Sequence, residues 1–269
     1  MNSENCALFE FADKTADWAK STLCGFEHLA GLRFSDAARC WLAVENILIR
    51  TTAFDPVSAA SKSNAAAACL LLGHHQAAMR FFDAAEDEWR RTTDALATLD
   101  VPMAGASSSF HFHLAATVPG PLIAARRERY VQLAETALAI VRFNRLFITG
   151  HLETSRSLPD SARGLTLLLS DAFGPASPEV RLLSASAAVN DLSVIGEIYA
   201  AKIADIVRRP ATLLAALSPE CEQLERATLM TALLVVPIFA RPQQSADAAA
   251  SNSISHHETS QNDVRHVRL

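Results

Sequence analysis

Apolar residues along this chain return every three or four positions. Tyr130, Leu133, Ala134, Ala137, Leu138 and Val141 make one stripe, and Leu192, Ile195, Tyr199, Ile203 and Ile206 make another. That period is the turn of an α-helix with one face against a neighbour. A capping acceptor followed by proline, which satisfies an orphan N–H and presets φ, marks three helix starts: Asp55-Pro56, Ser177-Pro178 and Ser218-Pro219. The pattern predicts helices near 13–31, 35–50, 56–72, 75–98, 122–148, 159–172, 178–207 with a break at Asn190-Asp191, 210–217 and 219–236. Residues 99–121 are rich in Gly, Ser and Pro and read as a long loop. From Arg241 onward large apolar residues almost vanish, so 241–269 reads as a disordered tail.

Composition sharpens this to an all-α chain. Hydrophobic residues are 50% of the 269 and charged ones 20%, the balance of a folded domain. Alanine and leucine dominate, while Gly is 9 and aromatics are 7%, which favours helices over strands. The net charge of -5 is mixed in sign, so no basic stripe exists to displace counterions and nucleic acid is not an expected partner. Five arginines against two glutamates in 122–150 are the exception. Arg126 and Arg129, three apart and so on one face, are candidates for an acidic or phosphorylated partner, with a solvated helix face as the plain alternative.

The five cysteines, Cys6, Cys24, Cys40, Cys69 and Cys221, contain no C-x-x-C, and at least three read as small apolar residues in helices. A reducing, cytoplasmic compartment is expected. The first residues lack a basic region and a continuous apolar run, so no secretory signal is expected. The longest apolar run, 227–240, is broken by Thr228, Thr231 and Pro237 and falls short of the roughly 20 residues that span a bilayer. No transmembrane segment is expected.

Self-similarity adds an architecture. Ala37, Trp41, Val44 and Leu48 recur at the same intervals as Ala78, Phe82, Ala85 and Trp89, offset by 41 residues from Ala37 to Ala78. At that offset Phe34 matches His75 and Gly25 matches Ala66. Each unit reads as a helix with small residues at its crossing point, a tight turn, and a second helix of alternating small and large residues. This resembles the tetratricopeptide repeat (TPR) family. Asn64 and Ala66 fall on the polar and small positions of the family's first helix, Gly73 on its turn glycine, His75 on the aromatic that opens the second helix, and Ala78, Phe82 and Ala85 on the small-large-small signature. Gly25, Phe34, Ala37 and Trp41 match in the first unit. The spacing exceeds the family's 34 or so residues, the first-helix Trp and Tyr are missing, and Gly31 stands one position early. A fainter likeness, of layout, is to SNAP-type vesicle-trafficking adaptors and the 40-kilodalton huntingtin-associated protein.

The resemblance implies a TPR-like α-helical hairpin array, an α-solenoid, over 1–98, followed after the loop at 99–121 by an irregular helical block over 122–240 that continues or caps the stack. It implies a non-enzymatic adaptor or scaffold whose concave surface, lined by the first helix of each hairpin, holds a peptide or helix of another protein. Exposed groove positions would include Lys20, His28, Lys62 and Asn64, while Gly25, Phe34, Ala37, Trp41, Gly73, His75, Ala78, Phe82, Ala85 and Trp89 would form the repeat core. The alternative is an obligate subunit of a larger trafficking or scaffold complex; the fainter likeness adds a place at the periphery of vesicles.

Chemical readings are weaker. His74 and His75 are adjacent, so on a helix they point about 100° apart and do not share a metal. Asp83, Glu86, Asp87 and Glu88 read as a solvated face, with Glu86 to Arg90 and Asp87 to Arg91 as i, i+4 pairs. His111 and His113 could converge if extended, but no Asp or Glu lies between Asp100 and Glu128 to join them. Phosphate-loop, dinucleotide, G-x-S-x-G and H-E-x-x-H motifs are absent. No catalytic residue, cofactor or metal is expected, and a small metal-dependent enzyme is the least supported class.

Overall fold

The computed structural model describes residues 3–45, 56–98, 120–150, 158–188, 192–208 and 219–234. The predicted helix at 210–217, the tail at 241–269, most of the 99–121 loop and both His111 and His113 lie outside them. Among the described residues the chain is all-helical: α1 (Ser3–Ala30), α2 (Phe34–Glu45), α3 (Pro56–Leu71), α4 (His75–Thr98), α5 (Gly120–Gly150), α6 (Leu158–Phe173), α7 (Pro178–Ala188), α8 (Leu192–Arg208) and α9 (Pro219–Leu229). None of these helices is long and apolar enough to cross a membrane. The helix foreseen for 178–207 divides between α7 and α8 on either side of Asn190-Asp191. Ser177 caps α7, its hydroxyl accepting from the Val180 amide at 3.4 Å.

The 41-residue repeat holds at the level of the backbone. In the α1–α2 turn the Leu32 amide donates to the Leu29 carbonyl at 2.9 Å and the Arg33 amide to that of His28 at 2.8 Å. In the α3–α4 turn Gly73 donates to Leu70 at 2.9 Å and His74 to Cys69 at 2.8 Å, the same helix-ending motif. The left-handed position of that motif is Gly73, at φ 76°, and Leu32, at φ 57°. Gly31 therefore does not serve as the turn glycine; a leucine takes the conformation instead.

Second-helix side chains interlock as the small-large alternation foretells. Ala37, Trp41, Ala78, Phe82, Ala85 and Trp89 are buried, and the Trp41 indole donates to the Thr22 carbonyl at 3.2 Å. Phe34 is partly buried, but its counterpart His75 is exposed. The aromatic packing slot expected at His75 is corrected: an imidazole at the first position of α4 gains less from burial than a phenyl ring does.

Each helix from α1 to α8 packs on the next, and α8 returns to α1. Gly196 makes that closure close-fitting, since a Cβ there would come within 2.6 Å of the Ala30 carbonyl oxygen. Helix α9 packs against α3 and α5. Every residue of α3 is buried, because α2, α4, α5 and α9 surround it. Its small side chains permit that approach.

Candidate functional site

The predicted helix over 219–236 ends at Leu229, and the chain leaves it through a turn at Met230 and a bend at Thr231, with residues 230–234 buried and reached by side chains of α3, α5 and α8. Buried backbone outside a helix needs hydrogen-bond partners, and no strand among the described residues supplies them.

Two asparagines and a tyrosine do so. The Asn64 amide donates to the Met230 carbonyl at 2.8 Å, and its oxygen accepts from the Ala232 amide at 2.7 Å. Asn144, on α5, donates to the Ala232 carbonyl at 2.6 Å and accepts from the Leu234 amide at 2.9 Å. A carboxamide carries a donor and an acceptor side by side, as a peptide group does, so each asparagine replaces one rung of a neighbouring strand. Alternate residues thus bond along one edge, and the intervening Leu233 carbonyl accepts from the Tyr199 hydroxyl of α8. Burial, together with the charge of Glu179, raises the Tyr199 pKa and keeps that hydroxyl a donor.

The clamp asks only for backbone. Asn64 and Asn144 would hold any extended segment whose side chains fit, and here Met230, Ala232, Leu233 and Leu234 fill the apolar surroundings. Hydrophobic burial supplies affinity and the amides fix register.

The foreseen groove residues scatter. Lys20 is exposed on α1, and His28 is half-buried with its Nδ1 accepting from Arg33 Nε at 3.0 Å. Lys62 and Asn64 are not exposed: they are 6% and 1% accessible, Lys62 turned toward α4 and Asn64 toward residues 230–232. Lys62 is ion-paired with Glu88 across α3 and α4 and donates to Ser58 Oγ.

The arginine strip is engaged internally. Arg129 donates to the Ala172 carbonyl of α6 and to Gln132 Oε1, while the Arg126 side chain lies outside the described residues. Arg142 and Arg145 reach Glu86 at 3.0 and 2.9 Å, joined by Arg90 at 3.1 Å. Burial pushes the Glu86 carboxyl up, but hydrogen bonds and charge from Arg142 and Arg145 outweigh it and hold the pKa below its ordinary value. The solvated acidic face is thus corrected for Glu86 and Glu88, both of which tie α4 to neighbouring helices; Asp83 and Asp87 remain exposed. Arg91 bonds the Asp87 carbonyl oxygen, and Arg90 takes the Asp87 carboxylate.

Sequence reasoning singled out Asn64 but missed Asn144, Tyr199 and the segment they hold. A signal for Asn144 was present: the stripe Tyr130, Ala134, Ala137, Val141 continues at helical spacing to Asn144, a polar residue in a core register. A buried amide there requires a partner. No protein-family model, curated protein or solved structure matches this chain.

Proposed function

We propose that the chain is a non-catalytic helical-repeat adaptor that holds an extended polypeptide segment by its backbone within its circuit of helices. The observation that supports this is the paired clamp of Asn64 and Asn144 on segment 230–234. In this reading the chain's own segment is the resident occupant and a partner's extended, small-apolar segment its competitor. A tethered occupant acts at an effective concentration on the order of millimolar, so partner binding is restrained until the segment is displaced. Among the described residues the exposed large apolar side chains are Leu167 and Val207, on different helices, which favours an adaptor over an obligate subunit.

The test is complementation in trans. A labelled peptide with the sequence of residues 228–240 is titrated against the full chain and against a chain ending at Leu229. Tight binding by the shortened chain, weaker binding by the full chain, and loss on Asn64→Ala or Asn144→Ala are expected. A shortened chain that keeps its helical circular dichroism and ignores the peptide, or that unfolds, overturns the reading.

A further inference from the structure

We propose that Cys24, His28 and Cys40 form a zinc site across the α1–α2 hairpin. Their ligand atoms lie within 4.8 Å of one another, and all three residues are half-buried, close to the surface yet held by packing. Cys24 and His28 stand at i, i+4 on α1, the helical spacing that turns two side chains to one side. Cys40 meets them from α2 with its sulfur 3.5 Å from that of Cys24. Zinc–sulfur bonds of about 2.3 Å at a tetrahedral angle put two sulfurs about 3.8 Å apart, so a small adjustment seats an ion between them. A disulfide would instead need the sulfurs to close to about 2.05 Å.

The surroundings suit a cation of this class. Two thiolates and an imidazole are a soft donor set that selects zinc over magnesium or calcium. On binding, both thiols lose their protons to solvent, two metal–sulfur bonds and one metal–nitrogen bond form, and the ion with its three ligands is neutral. Arg33 Nε donates to His28 Nδ1 at 3.0 Å, so the lone pair sits on Nδ1 and the ring proton on Nε2. An incoming ion takes that lone pair from Arg33, whose side chain is 57% exposed and has Asp36 as a second partner 3.9 Å away. With three protein ligands the fourth position is left to water.

The site pins α1 to α2 and is independent of the peptide clamp. The test uses the full chain, reduced, stripped with chelator and titrated anaerobically with cobalt(II), then zinc. One cobalt per chain is expected, with a sulfur-to-cobalt charge-transfer band and the intense visible bands of tetrahedral ligation, both abolished when zinc displaces it. Cys24→Ala, Cys40→Ala and His28→Ala should each lower zinc affinity by more than roughly a hundredfold, beyond what outer-sphere changes cause. Cys69→Ser, on α3, should bind as the wild type does. Arg33→Ala should bind zinc more tightly, an effect that general loosening of the hairpin does not produce, and it keeps the test decisive if a ligand variant misfolds. Absence of stoichiometric binding, binding unaltered by the Cys24 and Cys40 changes, or a Cys24–Cys40 disulfide that persists in mild reductant would overturn the proposal.

Discussion

Gly25 lies directly beneath the indole of Trp41: a Cβ at Gly25 would sit 2.2 Å from the ring nitrogen and 2.6 Å from its neighbouring carbon. The α1–α2 crossing is built on that missing methyl. Trp41 cannot swing away cheaply, because its indole also bonds the Thr22 carbonyl and its ring meets Phe26 edge-on at 5.4 Å. Gly25→Ala should therefore destabilise by about 1–3 kcal/mol, the range for overpacked cores, despite alanine's better helix propensity. Thermal or urea unfolding measures it, and an unchanged midpoint would contradict the packing.

Replacing either clamp residue leaves two buried backbone groups unpaired. Asn64→Ala strands the Met230 carbonyl and the Ala232 amide; Asn144→Ala strands the Ala232 carbonyl and the Leu234 amide. Each should cost about 2–6 kcal/mol, at about 1–3 per stranded group. Hydrogen exchange adds locality: the Ala232 amide should lose protection in the Asn64 variant, and the Leu234 amide in the Asn144 variant.

The two turn positions separate backbone strain from packing. Gly73 has φ 76° and nothing within 4 Å of where a Cβ would stand, so Gly73→Ala should cost about 1 kcal/mol from conformation alone. At Gly31 a Cβ would meet chiefly the exposed Arg33 side chain at 3.4 Å, and φ is not positive. Gly31→Ala should be neutral or slightly stabilising.

Lys202 and Glu179, 2.7 Å apart, are almost wholly buried, with the ammonium also 5.3 Å from the Phe26 ring centre. Lys202→Met alone should cost about 3–5 kcal/mol by leaving a buried carboxylate without its counter-charge. Adding Glu179→Leu should recover most of the loss. A double variant no better than the single one would show that shape, and not charge, decides this site.

Acid should loosen the α4–α5 contact. The folded-state pKa of Glu86 lies below its unfolded value, so its contribution is full above the unfolded value and is lost as pH falls through the folded one. Wild type should lose more stability than Glu86→Gln on passing from neutral pH into that acidic window, in paired urea titrations. Arg90, Arg142 and Arg145 are a third to a half exposed, which keeps the difference small.

The hairpin register was legible because it rests on local periodicity. Ala37, Trp41, Ala78 and Phe82 lie where their spacing put them, and their backbone turns repeat at the same offset. His75 departed from its slot, and Leu32 took a glycine's conformation, because tertiary packing overrides a single position's preference. The acidic cluster divided for a similar reason: Glu86 and Glu88 find cations on α5 and α3, which no i, i+4 count along α4 reveals.

By itself the sequence determined helices, caps, the repeat and the small-large alternation at helix crossings, since each depends on residues within a few turns of one another. Only the tertiary structure decided that α8 returns to α1, that 230–234 leaves the helix, and that Asn64 and Asn144 bond it from 166 and 90 residues away. The physical reason is that a buried polar group is settled by its partner. An asparagine on a helix announces a need for hydrogen bonds, but which backbone meets that need depends on where the chain has been brought.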